Sequence, residues 1–180
     1  MHKFFNPAGA CQPDIHYVVD PLPRLSGIRE LIDGRHYFII HAPRQTGKTT
    51  YLYALMHQLN REGKYTALTV NIQAAASGRD PQDAMRIVAL ALVQQAKLYL
   101  PHLEQPPVVN GVSVQMGLQG YLTQWAAQDP RPLILFIDEA DSLLDDLFLA
   151  LLRQLRAGFE ARPTGFPQAI ALVGLRDVRD

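Results

Sequence analysis

Two groups of residues in this 180-residue chain have types and spacings suited to phosphate chemistry. The first is Ala42-Pro43-Arg44-Gln45-Thr46-Gly47-Lys48-Thr49-Thr50. It follows the apolar run Tyr37-Phe38-Ile39-Ile40 and opens a stretch of helical periodicity. A strand, a turn and a helix in that order present backbone N–H groups inward to an anion. Lys48 then reaches the outer phosphates, and the Thr49 hydroxyl serves Mg²⁺. The pattern is G-x-x-x-x-G-K-[ST] with Ala42 in place of the first glycine. Alanine serves there if its φ stays negative. Gly47 is the stricter position, because a Cβ would crowd the phosphate. The expected phosphate-binding residues are Pro43, Arg44, Gln45, Thr46, Gly47, Lys48, Thr49 and Thr50. Arg44 and Gln45 face either the γ-phosphate or solvent. The bland alternative is an ordinary strand–helix turn with an exposed lysine.

The second group is Leu133-Ile134-Leu135-Phe136-Ile137-Asp138-Glu139, about ninety residues downstream. A solid apolar run ending in two acids reads as a buried strand with carboxylates at its tip. Asp138 is placed to hold Mg²⁺, directly or through water. Glu139 is placed to act as a general base on the attacking water. Alone, such a pair is more often a helix cap, with Asp138, Asp141 or Ser142 as the capping residue. The phosphate loop upstream favours the catalytic reading.

Positioning these groups requires alternating strands and helices. The first two dozen residues hold Pro7, Pro13, Pro21 and Pro23 and read as an extended arm, 1–23, ahead of a core spanning 24–180. A short helix is expected over about 24–33, ended by Gly34. Strands are expected over about 36–41, 65–72, 133–137 and 169–173. The first of these, without alternation, suggests cover on both faces. Helices are expected over about 48–62, 81 to just before Pro101, 113–128 and 142–160. Asp80 caps the second of these, with Pro81 at its first position. Leu144, Leu147, Phe148, Leu151 and Leu155 form one face of the last. Right-handed crossovers then give a three-layer α/β fold around a parallel sheet. Ligands in such sheets bind at the carboxyl ends of the strands.

Lys+Arg and Asp+Glu both number 17, so the formal net charge is zero. This gives nucleic acid or anionic membrane no global support as a partner. One cysteine, Cys11, excludes an internal disulfide and a multi-cysteine zinc site. It has no visible histidine partner. The N-terminus lacks an apolar signal-peptide core, and no run reaches the roughly 18 residues of a membrane span. A cytoplasmic protein is expected. His36 and His41 flank a strand and read as structural, and Trp125 reads as core.

The Pro-Arg-Gln-Thr-Gly-Lys-Thr-Thr and Phe-Ile-Asp-Glu-Ala-Asp strings resemble the bacterial AAA-like and STAND-like P-loop ATPases. These have an additional central strand and a catalytic glutamate. The resemblance covers about 24–176 and implies ATP with Mg²⁺ as ligands and hydrolysis as the reaction. It also implies a strand order similar to 5-1-4-3-2. At the tip of the fourth strand the family carries a polar sensor, and here Arg176 stands in that region. A solvated loop arginine is the alternative. Tyr17, Val18 and Val19 either pack or fold back beside the adenine, as N-terminal segments of related ATPases do.

The family pattern continues with a fifth strand and a helical lid, so a chain truncated after its fourth strand, or a fragment of a longer protein whose core is incomplete at 180, is expected. An order of 2-3-4-1 is therefore expected, with the first strand as an open edge. That edge invites a protein partner or self-association. The reading is a Mg-ATP-binding ATPase core. Its alternative is a nucleotide-gated interaction module with little or no turnover. The Asp138-Glu139 pair counts against a small-molecule kinase, and the lack of an Asn-Lys-x-Asp motif counts against a GTPase.

Overall fold

A computed structural model of the chain describes residues 2–6, 11, 14–25, 27–43, 46–100 and 117–174. Within these, four parallel strands form one sheet in the order β1-β4-β3-β2. The strands are β1 (Tyr37–His41), β2 (Thr66–Asn71), β3 (Leu133–Asp138) and β4 (Ala169–Gly174). The helices are α1 (Gly27–Asp33), α2 (Lys48–Glu62), α3 (Pro81–Tyr99), α4 (Gly117–Gln128) and α5 (Asp145–Ala157). The order is the 2-3-4-1 that the family resemblance implies.

β3 and β4 lie inside the sheet, and every residue of each is buried. Their continuous apolar sequences follow from helices covering both faces. β1 takes the expected edge position, but the cover expected on both its faces is incomplete. It pairs only with β4 among the described residues, and Ile39 is 48% exposed. An unalternating apolar run thus marks an edge strand here, because apolar sequence reports capacity for burial and not the presence of a cover.

Helix ends follow local chemistry. Asp80 adopts an extended conformation and its side chain accepts from the Asp83 amide at 2.8 Å, with Pro81 starting α3. Gly63 ends α2 at φ 71°, a left-handed conformation that glycine takes without Cβ strain. The N-terminal segment is split: a 3-10 turn, Leu22–Leu25, precedes α1.

The expected helix 142–160 is shorter. It runs Asp145–Ala157, flanked by 3-10 turns Ala140–Ser142 and Phe159–Ala161. The Ser142 amide donates to the Glu139 carbonyl, and Leu143 is extended and buried, so the chain turns before the helix begins. Leu144 therefore precedes the helix and is 56% exposed, while Leu151 and Leu155 enter the core. At the other end Gly158 abuts the buried ring of Phe166, where a Cβ would lie 2.2 Å from a ring carbon.

Register fixes which strand tips meet. His41 lies opposite Gly174, and Asn71 opposite Asp138. Because all pairs are parallel, these tips share one rim of the sheet.

Candidate functional site

The loop between β1 and α2 rises from that rim. Gly47 has φ 85°, and a Cβ built on it meets no protein atom within 4 Å. Glycine is therefore required first by its left-handed backbone and not by crowding from the protein. The Lys48 ammonium donates to the carbonyls of Ala42 at 2.5 Å and Pro43 at 2.9 Å. The Thr46 hydroxyl donates to the same Pro43 carbonyl at 2.8 Å. The charged end of Lys48 thus lies against the mouth of its own loop. Arg44 and Gln45 lie outside the described residues, as does Arg176.

Two residues separated by 89 positions meet beside this loop. The Thr49 hydroxyl donates to Asp138 Oδ2 at 2.8 Å. Asp138 is 2% exposed, and its Oδ1 accepts the Glu139 amide at 3.0 Å. The Asp138 carbonyl accepts the Ile72 amide at 3.1 Å, tying the tip of β3 to the end of β2. A hydroxyl and a carboxylate in contact form an all-oxygen donor set. That suits Mg²⁺, which takes one or two carboxylates and completes its shell with water and substrate phosphate. Among the described residues no group of three or more His, Cys, Asp or Glu forms a metal cluster.

Glu139 follows Asp138 in a left-handed conformation, φ 57° and ψ 36°, which is uncommon for a residue with a Cβ. It is half-buried and sits at the start of the 3-10 turn, on the same rim as the loop.

Among solved structures, the fold is similar to chains in structures of Drosophila ORC bound to DNA. One, in a complex with poly(dA/dT) DNA and Cdc6, has a TM-score of 0.57 and 12% identity; the match covers 87% of this chain and 25% of that one. Another, in ORC bound to DNA, has a TM-score of 0.53 and 15% identity, covering 86% and 38%. At these identities the likeness concerns the fold, and this chain spans only a quarter to two-fifths of those chains. No curated protein sequence matches. A family model described as AAA domain matches residues 31–180. The chain belongs to the AAA domain family.

An AAA domain is a nucleotide-binding ATPase core, and the rim just described is where such a sheet binds its ligand. Two neighbours of this AAA domain's phosphate loop escape sequence reading. Tyr53 stands one helical turn beyond Thr49. Burial first, and then its neighbours Tyr99 and Asp138, push its phenol up to about 12. The i, i+4 spacing from Thr49 was the available signal. Thr50 also has an unforeseen partner: its Oγ1 accepts the Cys11 amide at 3.2 Å. No local pattern announces a contact across 39 residues.

The described part of the arm doubles back. Phe4 and His16 form a parallel bridge and their rings meet edge-on at 4.8 Å. Tyr17 packs on Phe5 at 5.0 Å yet remains 55% exposed, and Val19 is 77% exposed. Trp125 is core, as expected, at 2% exposure. His36 and His41 are exposed. No helix among the described residues is long and apolar enough to cross a membrane.

Proposed function

We propose that this AAA domain binds Mg-ATP on the 42–50 loop and hydrolyses it, in the manner of the bacterial AAA-like and STAND-like ATPases its motifs resemble. The observation that carries the reading is the Thr49–Asp138 hydrogen bond at 2.8 Å. It joins the loop that suits phosphate to the strand tip that suits a metal.

Backbone amides of the loop hold the phosphates, aided by the N-terminal end of α2. Lys48 leaves the Ala42 and Pro43 carbonyls and neutralises the β- and γ-oxygens. Thr49 and Asp138 are the residues that would hold Mg²⁺, which when bound spreads the charge of those same oxygens. Glu139 orients a water and accepts its proton as the water oxygen bonds to the γ-phosphorus. The bond from that phosphorus to the β,γ-bridging oxygen breaks, leaving ADP and inorganic phosphate. Arg44, Gln45 and Arg176 belong to the proposal as γ-phosphate contacts on sequence grounds alone. The location proposed is the cytoplasm. Self-association through the outer edge of β1 is also proposed, and sedimentation velocity over a range of concentrations tests it. The Drosophila assemblies bind DNA. A net charge of zero lends this chain no comparable support.

Phosphate release with and without Glu139→Gln tests the reaction. The expected result is retained ATP affinity and a loss of release of at least a hundredfold, in the range for a positioned general base. Binding with no release by the unaltered protein would replace the enzyme with a nucleotide-gated module. Unchanged release in Glu139→Gln would remove Glu139 from the mechanism.

A further inference from the structure

We infer that Asp141 and Gly174 form a positioning pair that holds Glu139 in its reactive orientation. This rests on Glu139 acting as the base.

Glu139 stands in a left-handed conformation, φ 57° and ψ 36°. Such a backbone persists in a residue with a Cβ only where its surroundings hold it. One side of the hold is visible in hydrogen bonds. The Glu139 amide donates to Asp138 Oδ1 at 3.0 Å, and its carbonyl accepts the Ser142 amide at 3.0 Å. Ala140 and Leu143 are buried at 3% and 2% exposure, which pins the turn to the core.

The other side is a close approach to the tip of β4. A Cβ on Gly174 would lie 2.6 Å from Asp141 Oδ1, 2.8 Å from Cγ and 3.2 Å from Cβ. Gly174 is not one of the described glycines with positive φ (Gly47, Gly63 and Gly117), so backbone freedom does not explain it. The space is taken by the Asp141 side chain, so a Cβ on Gly174 would force that carboxylate out of its place. Gly174 also lies opposite His41, the last residue before the phosphate loop. The pair therefore sets the turn bearing Glu139 against the strand that feeds the loop. Asp141 touches no reacting atom in this scheme; it acts through the backbone of Glu139.

The test is a double-substitution cycle of Gly174→Ala and Asp141→Ala. It is read by ATP turnover, by affinity for a non-hydrolysable ATP analogue, and by hydrogen exchange of the Glu139 and Ser142 amides without nucleotide. Each single change is expected to lower kcat about tenfold and to leave analogue affinity and KM within about twofold, a loss confined to the transition state. Each is also expected to speed exchange at the two amides. Adding Gly174→Ala to Asp141→Ala is expected to cost nothing more, because the clashing carboxylate is gone. Asp141→Asn keeps the shape and is expected to recover most of the rate. If Gly174→Ala does not fold, Asp141→Ala and Asp141→Asn decide alone.

Unchanged kcat and exchange in Asp141→Ala, beside a Glu139→Gln that has lost turnover, overturns the pairing and leaves the reaction standing. Additive losses, or a parallel fall in affinity, overturn it too. Unchanged turnover in Glu139→Gln overturns both the pairing and the assignment of the base.

Discussion

Asp138 does two jobs with two oxygens: Oδ2 takes the Thr49 hydroxyl and Oδ1 takes the Glu139 amide. Asparagine preserves the size and removes the charge that would attract a cation. In the unaltered protein, chelating Mg²⁺ with EDTA is expected to weaken ATP binding at least tenfold. In Asp138→Asn the same titration is expected to be nearly indifferent to EDTA. Asp129 shows a second kind of residue-scale dependence. Burial opposes its ionisation, but hydrogen bonds from the Thr66 hydroxyl and from Arg131 outweigh it, and its pKa is lowered. Its contribution to stability is therefore full above the unfolded value of about 4 and is lost as pH falls through the lower folded value. Thermal unfolding against pH should show Asp129→Asn less stable at pH 7, with the gap closing below about pH 4. The loop and the acid pair were legible at this scale because both are contiguous strings. Tyr53, Gly174 and the Cys11–Thr50 contact were not, since each gains meaning only from chain segments far away in sequence.

Elements were read best where local chemistry closes them. Asp80-Pro81 starts α3 as expected, and Gly63 ends α2. The error at α5 came from taking apolar periodicity through Leu144 as helix. A tight turn anchored by buried Ala140 and Leu143 interrupts it, and that anchoring is tertiary. β1 misled in a related way: its place at the edge beside β4 was expected, but its run of Tyr37-Phe38-Ile39-Ile40 could not disclose that one face, at Ile39, stays half exposed. Gly158 offers a stability test. Its Cα faces the fully buried ring of Phe166, and alanine there forces overpacking. Chemical denaturation of Gly158→Ala is expected to show a loss of about 1–3 kcal/mol with an unchanged m-value. Asp80→Ala removes a side-chain cap and is expected to cost about 1 kcal/mol by the same method.

The whole molecule brings four strand tips to one rim, and both chemical groups stand there. Parallel pairing does this without any side-chain instruction: once strands alternate with helices, the loops that follow each strand gather on one side. That is why sequence order alone could bring the phosphate loop and the Asp138 tip to one rim, whereas the direct Thr49–Asp138 hydrogen bond at 2.8 Å depends on the packing of α2 against the sheet. Ligand binding there should stabilise the folded chain as a unit. At an ATP concentration one hundred times Kd, the gain is about 2.7 kcal/mol. A rise in Tm with Mg-ATP that is absent in Asp138→Asn would show that binding engages this rim.

Calorimetric titration of Mg-ATP into the unaltered protein and into Lys48→Ala probes the loop itself. Saturable one-to-one binding, weakened at least tenfold by the substitution, is the outcome expected of a lysine that exchanges loop carbonyls for phosphate oxygens. Equal affinity in the two proteins, or no binding by either, would contradict it.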